Sequence, residues 1–220
     1  MLLLVSLLNL LFLPLQASTN SYEYLYESDG IKVYSRTDGE LQCYKAEGVV
    51  QANLFELMAV ISDLSKRQEW VKNLEFSRTI SGDIASTVQL YEKYKMPWPA
   101  SDRDTVTTSE TIVDYKKLEI EANFFNSTHP DYPLKESIIR IPAIKGYQFF
   151  AYQSETTTLS RNTLCIDIGG DLPVWLVRVV SREMPVDTLK SMQRQVEKTR
   201  GQYQEFIQQH KEKAAREGKE

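Results

Sequence analysis

Few side chains in this chain are of the kinds that carry chemistry unaided. There are two histidines and two cysteines. His129 sits in a polar loop, Asn126 to Pro133, and His210 sits where the last apolar stripe gives out. Neither has the serine, carboxylate or second-histidine spacing of a hydrolytic triad or a metal site, and no glycine-rich phosphate loop accompanies them. Cys43 and Cys165 are not in a C-x-x-C pair, so a zinc or thiol-redox site lacks its pattern; one disulfide and two buried thiols both remain open. The carboxylates are numerous but fall mainly on faces that read as wet. The most pointed feature is Arg103, between Asp102 and Asp104. In a strand it points opposite to both acids. With the acids in solvent the guanidinium turns inward, where it needs a carboxylate or a ligand headgroup as its partner. The structural ion pair is the plainer of the two. No cofactor pattern and no metal-ligand set is present, and an enzymatic role has no constellation of groups behind it.

The elements that hold these residues are a run of strands and a long final helix. From Asp167 to Phe206, Leu172, Trp175, Val179, Val186, Leu189, Met192, Val196, Thr199, Tyr203 and Phe206 keep to one helical face, with Arg182 the one break in the row. That describes a helix of about ten turns, on the order of 50 Å long. Gly169 and Gly170 end what precedes it, Asp171 can cap it, and Pro173 is tolerated in a first turn. A second row, Leu172, Leu176, Val180 and Met184, widens the apolar face of its N-terminal half, where it can both pack on a sheet and line a cavity. Pro185 is expected to kink the helix there, by clashing with the carbonyl of Ser181.

Upstream, Tyr22 to Glu27 and Ile31 to Thr37 flank Ser28-Asp29-Gly30, a hairpin signal, and Gln42 to Gln51 is a third strand. Asn53 caps a short helix bearing Leu54, Phe55, Leu57, Met58, Val60 and Ile61, and a second short helix carries Trp70. About six strands follow. In one of them Val88, Leu90, Tyr94 and Met96 share a face interrupted by Glu92. In another Leu118, Ile120, Ala122 and Phe124 alternate with charged residues, as expected of a sheet with one wet and one apolar face. Trp98, between Pro97 and Pro99, cannot stand in a central ladder; it either packs on the core from a bulge or edge, or walls an entrance. The class is α+β: a curved antiparallel sheet of about nine strands closed over by a C-terminal helix. Beyond His210 the tail, residues 210–220, loses its stripe and is expected to fray.

Twelve tyrosines, eight phenylalanines and three tryptophans against nine glycines point to an aromatic-rich interior or pocket. The net charge of −4 supplies no global field for nucleic acid. Met1 to Ala17 reads as a signal peptide: the run from Leu2 to Leu15 is short of the roughly 20 apolar residues that span a bilayer, and small residues follow it. Export into a periplasmic or extracellular space is the expectation.

Two stretches resemble a known family. YEKYKMPWPASDRDTV, Tyr91 to Val106, is similar to the Pro-Trp-Pro-x-Ser-x-Arg-Asp segment of START (StAR-related lipid transfer) domains, with Thr105 where the family often carries an aromatic residue. IDIGGDLPVWLVRVVSREMPVDTLKSMQ, Ile166 to Gln193, resembles their entry into the C-terminal helix. The resemblance runs from about Tyr22 to Gln209. It implies the helix-grip fold and a hydrophobic tunnel between sheet and helix that holds one lipid or other large apolar molecule, in a monomer that touches membranes transiently. The cavity-lining set is then Leu172, Leu176, Val180, Met184, Tyr94, Trp98, Arg103, Ile120 and Phe124, with Asn126 to Pro133 and Pro142 to Gly146 as lids. It also makes the strands of Cys43 and Cys165 neighbours, so these form a candidate disulfide. Cyclases of related architecture offer an enzymatic alternative needing polar groups inside the pocket, whereas the inward faces read as mostly apolar. A ligand-sensing interaction module is the third reading.

Overall fold

The computed structural model describes residues 21–39, 41–98, 100–172 and 174–219, with backbone alone for 174–181. The expected signal peptide, Met1 to Ala17, lies outside the described residues. Three strands open the chain: β1 (Glu23–Ser28), β2 (Ile31–Asp38) and β3 (Leu41–Val50). The β1–β2 turn uses positive φ at Asp29 (52°) and Gly30 (75°), the geometry that makes Asp-Gly a hairpin signal. Helix α1 (Leu54–Ser62) starts at Asn53, whose side chain accepts from Phe55 N–H while Glu56 reaches back to the Asn53 amide. A 3-10 helix, Leu64–Glu69, follows and delivers Trp70 to the core. Then come β4 (Leu74–Gly82), β5 (Thr87–Tyr94), β6 (Arg103–Asp114), β7 (Glu119–Asn126), β8 (Ile139–Arg140), β9 (Ala143–Ser154), β10 (Thr157–Asp167), α2 (Val174–Lys198) and α3 (Gln204–Glu217).

The sheet order is β1-β2-β3-β10-β9-β7-β6-β5-β4, antiparallel throughout, with the two-residue β8 pairing parallel to β6. The last strand thus inserts between the opening meander and the rest, and α2 leaves it to cross β3 and β10. Two apolar clusters lie under that helix. The larger joins Val33, Ala46, Val50, α1, Ile120 and Phe150 to Val186, Leu189, Met192 and Val196 of α2. The smaller joins Ile141, Leu164, Ile166 and Ile168 to Phe124, Ile144, Leu172 and Met184.

The C-terminal helix is not continuous. It stops at Lys198, turns through Gly201 at φ +83°, and resumes as α3. Periodicity misses this break because Thr199, Tyr203 and Phe206 keep the apolar spacing across it, and Tyr203 and Phe206 pack on the larger cluster. Nor does the tail fray: α3 runs to Glu217 and packs on α1. Its anchor is His210, whose Nδ1 shares a 2.6 Å hydrogen bond with the Tyr115 hydroxyl and whose ring packs against Phe206.

That anchor is acid-sensitive. Burial, and then the Lys213 ammonium, hold the His210 imidazole below its ordinary 6.5. A base with a lowered folded pKa contributes full stability above the unfolded value; the contribution is lost as pH falls through 6.5 toward the folded value. Amide exchange of α3 is therefore expected to accelerate relative to β9 and β10 between about pH 7.5 and about pH 5. Equal protection at both would contradict this coupling.

Candidate functional site

Strand register decides which side chains face α2. On β10 the even-numbered residues do, since Leu164 and Ile166 join the smaller cluster. Ser160 and Asn162 therefore face the helix too, opposite Phe150 and Gln148 on β9 and Gly48 and Ala46 on β3. Across β9, Ile120, Ala122 and Phe124 of β7 stand opposite Phe150, Gln148 and Gly146. Between the two apolar clusters the helix-facing surface thus carries a band of Ser160, Asn162, Gln148 and Ala122. The inward faces are mostly apolar, as read, but this stretch of polar side chains interrupts them. In β10 both faces are polar between Ser160 and Thr163, so alternation alone names no inside. The available signal was parity, because Leu164 and Ile166 are in phase with Ser160 and Asn162.

The polar band continues on β5 and β6. Glu92, buried, faces the same side as Val88 and Leu90 and pairs with Arg67 Nε at 2.5 Å. It also accepts from Tyr94 Oη at 2.8 Å and from Ser77 Oγ at 3.3 Å. Burial, and then the Glu92 charge, hold the Tyr94 phenol well above its ordinary value. Tyr94 is therefore tied into a polar cluster and is not a bare cavity wall.

Arg103 is 1% exposed, as inward pointing requires, and its hydrogen-bond partners among the described residues are backbone carbonyls, with no carboxylate among them. Nε donates to Ile168 O at 3.3 Å, Nη2 to Gly169 O at 2.7 Å, and Nη1 to Ser101 O. The guanidinium thus latches the β10–α2 turn, whose Gly169 and Gly170 take φ of +69° and +74°. Burial lowers the Arg103 pKa, with the Asp102 charge opposing the shift. The neighbouring Asp104 does not face solvent. It is 1% exposed and held by Arg140, Nε to Oδ1 at 2.6 Å and Nη2 to Oδ2 at 3.0 Å, with the Tyr91 hydroxyl donating at 3.1 Å. The loop before β8 covers it, with Tyr132 stacked on Tyr91 at 4.4 Å. That loop, which includes Asn126 to Pro133, therefore packs on the face away from α2, and residues 143–146 begin β9. Neither is a lid over the helix side.

Of the other expected lining residues, Ile120 joins the larger cluster, and Phe124, Leu172 and Met184 join the smaller one. The Phe124 ring lies on the Gly146 backbone, where an added Cβ would come within 2.1 Å of Cζ. Trp98 is 92% exposed in the turn between β5 and β6 and lines no interior. Leu176 and Val180 lie outside the described side chains, as do Trp175 and Val179. Cys43 and Cys165 stand directly opposite on β3 and β10, and the structure joins them with Cα atoms 4.0 Å apart, on the face away from α2. Their sulfurs lie near the Asp38 carboxylate but, bonded to each other, offer it no thiolate partner for a metal. Two small apolar clefts lie by α1, one of about 10 Å³ at the β6–β7 turn and one of about 20 Å³ at the β4–β5 turn, and hold no more than a water-sized group.

No protein-family model matches the chain. An uncharacterized protein of Pseudomonas aeruginosa is 24% identical over 188 residues, 83% of this chain and 90% of that one. Among solved structures, human STARD10 superposes with a TM-score of 0.74 at 18% identity, over 84% of this chain and 76% of its own. Human StAR-related lipid transfer protein 5 gives 0.72 at 20% identity, over 83% and 89%. A STAR-related lipid transfer protein fragment from Xanthomonas axonopodis gives 0.69 at 23% identity, over 80% and 98%. The chain has the helix-grip fold of START domains.

Proposed function

We propose that the protein holds one lipid or other large apolar molecule between the sheet and the N-terminal half of α2, and carries it between membranes. The observation that carries this reading is the split core: α2 bridges two apolar clusters, and the strand surface between them carries polar side chains. Transfer energetics supply the drive. At about 0.8 kcal/mol per methylene, a sixteen-carbon chain contributes roughly 12 kcal/mol before ordering costs. Release then requires α2 to move at its N-terminal end, the end that Arg103 latches. Trp98, exposed in the turn that leads to Arg103, is the group suited to a membrane interface there.

The carrier works as a monomer in the space outside the cytoplasm, after removal of Met1 to Ala17. Polar groups do converge inside, which a cyclase would need. Glu92, however, is engaged by Arg67, Tyr94 and Ser77, an arrangement that favours a structural role over a free catalytic base. The test is extraction of pyrene-labelled phospholipid from donor vesicles and delivery to acceptors. Stoichiometric extraction is expected, with Trp98→Ala slowing delivery and leaving binding unchanged. No extraction and no binding of any apolar probe would defeat the reading.

A further inference from the structure

Ser160 is fully buried and Asn162 is 5% exposed, yet Ser160 Oγ and both Nδ2 and Oδ1 of Asn162 have no hydrogen-bond partner among the described residues. An amide with both ends unpaired is expensive to bury, and leucine, branched in the same way, would avoid that cost. The adjacent Thr158 shows the contrast, since its hydroxyl donates to Ala52 O at 2.8 Å and so does a structural job. We propose that Ser160 and Asn162 are the recognition point for an uncharged hydrogen-bonding group on the bound molecule, a hydroxyl, amide or ester carried on an apolar body. This rests on the binding function proposed above and adds the chemistry of its ligand.

The group is inferred to be uncharged because, among the described helix-facing residues of the flanking strands, none is free to neutralise a charge. The helix-facing neighbours of the pair are Ala46 and Gly48 on β3 and Gln148 and Phe150 on β9. The charges elsewhere on that face are already engaged, Glu92 by Arg67 and Arg103 by three carbonyls. A carboxylate or phosphate seated at Asn162 would be a buried, unpaired charge. The group is polar because the Asn162 amide offers both donors and an acceptor. Flanking it, the larger cluster with Ile120 and Phe150 and the smaller with Phe124 and Leu164 suit the apolar remainder on either side.

The experiment uses the intact protein with pyrene-labelled alkyl chains of equal length ending in methyl, hydroxyl, N-methylamide or carboxylate. In Asn162→Leu, the preference for hydroxyl and amide over methyl is expected to fall about tenfold or more, because the polar end then enters an apolar site unpaired. In Ser160→Ala a smaller fall of about threefold is expected. Asn162→Leu is expected to bind the methyl probe at least as well as wild type and to unfold at the same temperature or higher. The carboxylate probe should gain nothing from Asn162 at neutral pH. Identical probe ratios in wild type and both variants, as a buried water on Asn162 would give, overturn the proposal while methyl-probe binding keeps the carrier reading. So does a carboxylate preference that Asn162→Leu abolishes. A sharp loss of stability in Asn162→Leu makes the amide structural and also overturns it. If wild type binds none of the probes, the carrier reading falls and this proposal with it.

Discussion

Replacing Arg140 with methionine is expected to destabilise the protein by about 3 to 5 kcal/mol, the range for breaking a buried ion pair from one side. The magnitude follows from Asp104, 1% exposed, which receives two bonds from Arg140 and one from Tyr91. Without the guanidinium a buried carboxylate keeps one neutral donor, so it must take up a proton or drag the covering loop open. The loop has a stake as well, because Arg140 also donates to Tyr132 O at 3.2 Å and β8 pairs with the residues around Arg103. Urea unfolding at neutral pH measures the loss. The double variant Asp104→Asn with Arg140→Met should recover most of it, since it removes both charges. A loss below about 1 kcal/mol would mean the pair behaves as a screened surface bridge.

Converting Cys43 and Cys165 together to alanine is expected to lower stability by roughly 5 kcal/mol in the chain-entropy account. The two residues are 122 apart in sequence, so the bond removes a large loop from the unfolded ensemble. The structural effect should be small by comparison, because the β3–β10 ladder extends on both sides, from Gln42 to Val50. Denaturant midpoints of the oxidised protein, the reduced protein and the double alanine variant check this. The last two should agree and fall well below the first. Three equal midpoints, or two titratable thiols in protein folded under oxidising conditions, would contradict it.

Local chemistry made much of the fold legible. Asp29-Gly30 named the first hairpin, Asn53 named the start of α1, and the alternation of Ile120, Ala122 and Phe124 named the face of β7 that meets the helix. The motif from Pro97 to Asp104, with the Gly169-Gly170 entry into α2, carried the architecture. What stayed hidden depended on distant partners. Asp104 looked like an exposed acid because its cover, Tyr132 and Arg140, lies some thirty residues on in a segment without periodicity. Arg103 was read inward correctly, but backbone carbonyls as its partners leave no trace in residue types. The chain turns through Gly201 after α2 while the apolar spacing continues across it, since a positive φ is a property of one residue and periodicity averages over many. The polar band of Ser160 and Asn162 was readable from parity, yet Arg161 and Thr163 on the other face masked it.

The most direct measurement of the central claim is native mass spectrometry of the protein purified without detergent or organic solvent from its own source. The account predicts one apolar molecule per chain, released by organic extraction and bearing a hydroxyl, amide or ester within its apolar body. A chain that is always empty, and that remains empty after incubation with vesicles made from the lipids of that source, would contradict it.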